Sequence, residues 1–212
     1  MSDSMVYANR VAAGRVLAKC LGHLRATHPL ILGLPRGGVP VASAVAEALD
    51  CDLDIILVRK LGVPWQPELA MGAIGEDGAK VMNTDVLAQT RVSEEQVAVV
   101  EAHERVELDR RLRVLRGEHD RVPLRGRTVI IVDDGMATGA TAAAACRVAR
   151  EAGAGRVVVA VPVAPPEAMR RLGETADEVV CPSTPFDLGG VGAAYADFHQ
   201  LSDTEVTDLL HK

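Results

Sequence analysis

Thirteen residues constrain this chain more than any others: Val129–Thr141, reading Val-Ile-Ile-Val-Asp-Asp-Gly-Met-Ala-Thr-Gly-Ala-Thr. Val129 to Val132 are all β-branched and apolar, the pattern of a strand buried on both faces in a parallel sheet. Asp133 and Asp134 fall where that strand ends. Gly135–Thr141 is a turn of small residues, and Ala142–Arg150 reads as an alanine-rich helix stopping at Gly153. In an open α/β sheet, ligands bind outside the carboxyl ends of the strands. A helix N-terminus at that place offers unpaired N–H groups and partial positive charge to an anion. Thr138, Gly139, Ala140 and Thr141 are small enough for a phosphate to approach the backbone, and both threonines add hydroxyl donors. Two adjacent carboxylates repel that phosphate. They suit sugar hydroxyls, directly or through a magnesium ion.

Other phosphate-binding patterns fit poorly. A P-loop requires Gly-Lys-Ser/Thr, and the stretch holds no lysine. A dinucleotide fold requires Gly-x-Gly-x-x-Gly after its first strand, and a receiver-type acidic pocket requires a further aspartate and a lysine on other strands. Instead, the stretch resembles the signature of the type I phosphoribosyltransferases, enzymes that use phosphoribosyl pyrophosphate (PRPP). In that family an apolar strand leads into two acidic residues and a loop ending Thr-Gly-x-Thr. The resemblance implies that Asp133 and Asp134 hold the ribose diol and that Ala137, Thr138, Gly139, Ala140 and Thr141 hold the 5′-phosphate. It also implies Mg2+ at or near Asp133 and Asp134, as direct or indirect ligands. An ordinary strand–turn–helix with solvated aspartates is the plain alternative.

Size and charge bound the rest. A chain of 212 residues is long enough for one α/β domain burying about 70% of its unfolded surface. No run of about 20 apolar residues is present to span a membrane. Met-Ser-Asp-Ser-Met at the start lacks the parts of a signal peptide. Cys20, Cys51, Cys146 and Cys181 are widely spaced and read as reduced, mostly buried thiols of a cytoplasmic protein. The six histidines have no zinc-ligand spacing, and a net charge of −6 argues against a nucleic-acid surface.

Along the chain, Val6–Leu24 has helical apolar spacing and Leu30–Leu34 reads as the first buried strand, broken at Pro35-Arg36-Gly37-Gly38 before a helix over Val39–Leu49. A glycine pair between strand and helix suits either a tight turn or an anion nest. In the family, a similar Arg-Gly-Gly loop grips pyrophosphate, with charge from Arg36 and N–H groups from Gly37 and Gly38. Asp54–Val58 reads as the second strand, ending in Arg59-Lys60. Lysine occurs at only positions 19, 60, 80 and 212, so this pair stands out. Orotate and adenine phosphoribosyltransferases carry a similar pair, which implies that Arg59 and Lys60 act with Asp133 and Asp134 as catalytic residues. A solvated strand end is the alternative.

Gly62–Gly78 is rich in glycine and proline and holds Trp65. Pro64 and Pro67 hold it extended, and Ala70–Gly75 with Lys80–Asn83 reads as a short hairpin. The family's mobile loop occupies this place, residues 60–80. Ser93 and Gln96 make a capping box for a helix, 92–117, that the minimal family fold lacks. Val92, Val99 and Val106 repeat at seven, and Leu108, Leu112 and Leu115 follow at helical spacing. That seam suits packing on the body, a homodimer contact or, in its charged parts, plain solvation. Arg156–Val163, a short helix opened by Pro165-Pro166 and ended near Gly173, Asp177–Cys181 and a terminal helix complete the pattern.

The aromatic residues are Tyr7, Trp65, Phe186, Tyr195 and Phe198, four of them in the loop or the tail. They suit stacking on a flat heterocycle or anchoring the tail. The expected hood over the acceptor is residues 182–212, with Trp65, Phe186 and Tyr195 as its stacking candidates. The whole chain, tail included, is similar to phosphoribosyltransferases of mycobacterial type whose acceptor that similarity does not give.

The fold expected is a single domain, 1–212, of three α/β/α layers around a mainly parallel sheet of about five strands. The reaction implied is magnesium-dependent transfer of a 5-phosphoribosyl group from PRPP to a nitrogen of a nucleobase-like acceptor, releasing pyrophosphate. Ala137 stands where enzymes acting on 6-oxopurines usually have aspartate, which favours adenine-, orotate- or uracil-type loops. The competing reading is a regulator that senses PRPP without turnover; a third, a phosphoribosyl-binding hydrolase, would need a general base that the sequence does not identify.

Overall fold

The computed structural model describes residues 6–211; Met1 to Met5, on which the reading of a missing signal peptide rests, and Lys212 lie outside the described residues. Five parallel strands form the main sheet in the order β2-β1-β6-β7-β8. They are β1 (Leu30–Gly33), β2 (Leu53–Ile55), β6 (Thr128–Val132), β7 (Arg156–Ala160) and β8 (Glu178–Val180). The strands match the expected apolar runs, with β2 ending earlier than predicted.

The period-2 geometry of a strand divides each apolar run between two faces. Ile31, Ile130, Val132, Val158 and Ala160 face one layer, α1 (Arg10–Cys20) and α2 (Gly38–Leu49). Leu30, Leu32, Val129, Ile131, Val157 and Val159 face the other, α5 (Ala140–Glu151) and α6 (Pro166–Leu172). This is the three-layer arrangement expected. The first helix begins later than the predicted Val6, because Asn9 caps α1 through its side chain and Tyr7 pairs with Tyr195 in the tail.

The second strand is the main departure from the sequence reading. The chain leaves the sheet at Ile56, whose N–H donates to Gly33 O at 3.1 Å. It then starts a separate antiparallel sheet of β3 (Val58–Val63), β4 (Gln66–Gly75) and β5 (Lys80–Met82). The expected hairpin is present, but residues 60–80 are mostly regular strand, with Trp65 in the two-residue turn between β3 and β4. Arg59 and Lys60 therefore lie inside β3, not at the carboxyl end of a strand of the main sheet.

The short α3 (Thr84–Thr90), capped by Asn83, precedes α4 (Glu94–Arg116), which has the predicted Ser93–Gln96 capping box and ends at Gly117. Leu108 and Leu115 pack on Leu61, Met71 and Ile74 of the antiparallel sheet and on Leu201 and Val206 of the tail. Val99 and Val106 are 71% and 68% exposed, so the predicted seam divides between a buried leucine face and an open valine face. The tail ends in α7 (Asp203–Leu210), again with a capping box, packed on α2 and α4. All four cysteines are free, but only Cys146 is fully buried; Cys20 is exposed, and Cys51 and Cys181 are half-buried. Among the described residues, no helix is long and apolar enough to cross a membrane.

One buried ion cluster ties the sheets together. Arg116, at the end of α4, donates from Nη1 to both carboxylate oxygens of Asp54 (2.6 and 2.8 Å) and from Nη2 to Glu76 (3.0 and 3.2 Å). Burial pushes the Glu76 carboxyl upward, against the pull of Arg116 and Arg121. Removing one partner of such a pair leaves an uncompensated charge, at about 3–5 kcal/mol. Asp54→Ala should therefore lower the urea midpoint by a corresponding amount. A loss below about 1 kcal/mol would contradict an ion pair held away from water.

Candidate active site

The strand order places a switch point between β1 and β6. After β1 the chain crosses by α2 on one face, and after β6 it crosses by α5 on the other, so the two connections part at the carboxyl ends. That crevice is where open α/β sheets bind ligands, and two loops line it.

The first loop is Leu34–Gly38. Leu34 N–H donates to Val132 O (2.8 Å), and the Pro35–Arg36 peptide bond is cis. A Cβ on Gly37 would collide with the Asp134 carboxylate, and one on Gly38 with Val132 O. Only glycine fits at either position. The Gly38 amide is already used, donating to Leu34 O at 2.9 Å, which corrects the expectation that both glycines present free N–H groups. No backbone acceptor is found for the Gly37 amide among the described residues.

The second loop carries the acidic pair. Asp133 Oδ1 accepts from Asp134 N–H at 2.9 Å, and Asp134 Oδ2 accepts from Arg10 Nε at 2.8 Å. Burial holds Asp133 well above the usual carboxylate range, with repulsion from Asp134 adding to it. Asp134 is also raised by burial, against the pull of Arg10. Gly139 takes a left-handed backbone (φ 76°) just before α5 and offers no side-chain cap. The first amides of α5 are thus left for a ligand, apart from Ala140 N–H, which reaches Thr138 Oγ1 at 3.3 Å. Ala137, Thr138, Ala140 and Thr141 are exposed at this end, while Gly139 is buried. The site can take an anion at the helix end and a neutral polyol at the carboxylates.

The other predicted site residues are spread more widely. Arg36 reaches toward α7, with Nη1 3.8 Å from Asp203. Neighbouring side chains in a strand point to opposite faces, and β3 separates Arg59 from Lys60. Arg59 donates to Glu104 of α4 at 2.7 Å. Lys60 borders a cavity of about 290 Å³ shared with Ala140, Thr141 and Arg147. Arg59 is thus paired on α4 and Lys60 lies 3.9 Å from Glu68, while both line a larger cavity of about 620 Å³ between β3, β4 and α4.

Trp65 is 57% and Phe186 90% exposed, leaving both rings free. Tyr195 is not free. Its ring is buried between Tyr7 and Phe198, and its hydroxyl donates to Asp134 O at 2.5 Å. Burial raises its phenol well above the ordinary value. Tyr195 anchors the acidic loop instead of offering a stacking face to a base.

Arg10 was missed by the sequence reading. Besides Asp134, it donates to His199 O at 2.9 Å and lies 4.0 Å over the Phe198 ring. The one available signal is a basic residue in the first turn of a helix, where the macrodipole favours acids. Among the described residues no group of three or more acidic, histidine or cysteine side chains is arranged as a metal site. Asp133 and Asp134 are nonetheless the right donors for Mg2+, which typically takes one or two carboxylates and fills its shell from substrate phosphates and water.

The fold and site define an α/β protein in which an acidic pair and an uncapped helix start meet on one loop at a sheet switch point. The chain belongs to the phosphoribosyl transferase domain family, whose profile it matches over residues 4–197. It is 51% identical over 207 residues to two proteins of Mycobacterium tuberculosis. These are named "Putative phosphoribosyl transferase Rv0571c" and "Putative phosphoribosyl transferase MT0597". The match covers 98% of this chain and 47% of either relative, so the chain spans about half their length. The crystal structure of TT1426 from Thermus thermophilus superposes with a TM-score of 0.91 at 44% identity, covering 97% of this chain and 98% of that one.

Two outcomes test this electrostatic arrangement. A carboxyl whose pKa is raised by folding penalises stability above its folded pKa, and the penalty disappears as pH falls toward the unfolded value near 4. Asp133→Asn keeps the oxygen that accepts from Asp134 N–H and removes the charge. It should raise the melting temperature at pH 7 and flatten the acid-side rise in stability relative to wild type. A lowered melting temperature at pH 7 would refute the penalty. Arg10→Ala, in turn, should unlock the tail: amide exchange over residues 195–201 should speed up while that of α2 is unchanged. Equal protection in both proteins would show that Arg10 does not hold the tail.

Proposed function

We propose that this protein transfers the 5-phosphoribosyl group of PRPP to a nitrogen of a flat heterocyclic acceptor and releases pyrophosphate. The observation that carries the reading is the pairing of two elements on one loop: the acidic pair at the end of β6 and the uncapped start of α5. A phosphate at the helix end and a diol at Asp133–Asp134 are the two ends of one phosphoribosyl group.

In the reaction the C1–N bond forms as the bond from C1 to the pyrophosphate oxygen breaks, through a transition state resembling an oxocarbenium ion. The chain's own groups position and neutralise; none needs to form a covalent bond. Thr138, Thr141 and the first amides of α5 fix the 5′-phosphate. Asp133 and Asp134 hold the diol beside the developing cation and would hold Mg2+, which when bound neutralises pyrophosphate. Arg36, the Gly37 amide and Lys60 receive the leaving group. Trp65 and Phe186 are the exposed rings available to the acceptor. The open valine face of α4 suits a second copy of the chain.

The test is to incubate the protein with PRPP, Mg2+ and a panel of pyrimidine and purine bases while following pyrophosphate release. Release with one class of base is expected, and Asp133→Asn with Asp134→Asn should weaken PRPP binding at least tenfold by calorimetry. Unchanged PRPP affinity in that double variant would overturn the site. Tight PRPP binding with no release across the panel would favour a PRPP-sensing role.

A further inference from the structure

The outer face of α4 carries a pattern that no contact within the described chain uses. Glu95, Val99, Ala102, Val106, Arg110 and Arg113 recur at helical spacing, which places them in one stripe along the helix. All six are exposed, with Val99 and Val106 71% and 68% open to water. The stripe lies across the helix from Leu108 and Leu115, which are buried against the antiparallel sheet and the tail. Its charge is divided, with acid at one end, base at the other and valine between. The ion pairs of α4 engage Glu101, Glu104, Glu107, Arg105, Arg110 and Arg116, so Glu95 and Arg113 have no partner among the described residues. Arg110 holds Glu107 through Nε and Nη2, which leaves Nη1 uncommitted.

We propose that this stripe is the contact between two copies of the chain, their α4 helices antiparallel about a two-fold axis beside Ala102. In a two-fold contact the same surface serves both copies, so each pairing occurs twice. Facing residues of an antiparallel pair have numbers with a constant sum. Setting Val99 opposite Val106 of the second copy therefore sets Glu95 opposite Arg110, with Arg113 about one turn further on. Ala102 falls at the axis, where a small side chain lets the helices approach. A parallel pair instead sets Glu95 against Glu95 and Arg110 against Arg110, and facing like charges are costly. Antiparallel helices also align their macrodipoles favourably. The stripe is thus complementary to itself in one direction only, and that selects both the partner and its orientation. The cleft that holds Arg59 and Lys60 is walled on one side by Val99, Val100 and His103, so a second copy seated here borders it. The contact does not depend on phosphoribosyl transfer and holds equally for a protein that only binds PRPP.

Sedimentation equilibrium of the full chain tests the contact. Wild type should form a dimer that dissociates on dilution. Glu95→Arg or Arg110→Glu alone should raise the dimer dissociation constant at least tenfold. The two substitutions together should recover part of that loss, because opposite charges again face each other, a recovery that damage to the fold does not produce. Mild oxidation with diamide reads the direction. A chain with both Val99→Cys and Val106→Cys should be linked between copies beyond the wild-type level, while either substitution alone should not. A monomeric wild type, or a dimer indifferent to both charge reversals, would overturn the contact. Linkage through Val99→Cys alone, or no recovery in the double charge variant, would overturn the antiparallel pairing.

Discussion

The pairing of β1 with β6 is the constraint on which the rest of the molecule depends. Four residues of each strand, Leu30–Gly33 and Val129–Val132, lie in register, and Leu34 continues the ladder to Val132 O. Both strands are fully buried, and their crossovers leave to opposite faces. The loops that follow cannot cover each other's ends, so a crevice is left. Glycine at 37 and 38 then lets the first loop settle directly on the acidic pair of the second.

Burying two adjacent carboxylates is unfavourable, and the two ends of the described chain supply the compensation. Tyr7 pairs through its backbone with Ala194 and Ala196, its hydroxyl donates to Pro162 O, and Arg10 follows to meet Asp134. From the tail, Tyr195 reaches Asp134 O and Phe198 covers the Arg10 guanidinium. One carboxylate is thereby paired. The other, Asp133, has no cation paired with it among the described residues, and burial shifts its protonation upward. Stability is given up at the position where a ligand's hydroxyls or a cation would gain most.

The antiparallel sheet and α4 make a second body of structure against this core. The Arg116 cluster joins them, linking Asp54 of the main sheet with Glu76 beside β4. Hydrophobic contact of α4 with the antiparallel sheet and α7 does the rest. This packing turns Arg59 toward Glu104, while Lys60 borders a cavity that α5 also lines.

Much of this was legible in the sequence because it is local. Unbroken β-branched runs specify buried parallel strands, small residues after Asp133-Asp134 specify a helix end open to an anion, and Ser93 with Gln96 specifies where α4 begins. Those patterns were enough to read the three-layer fold and the loop that marks its family. What the sequence could not decide were contacts between residues far apart in the chain. Arg10 meets Asp134 across 124 positions and Arg116 meets Asp54 across 62, with no periodicity to announce either. Asp54–Val58 reads as one strand of the main sheet, but β2 stops at Ile55 and Val58 opens the antiparallel sheet, because its partner is Gly75 of β4, far along the chain. Aromatic composition placed Tyr195 near the site, but only burial against Tyr7 and Phe198 assigned it to anchoring. Local propensity determined the elements; the packing of distant surfaces decided which of their side chains remain free to act.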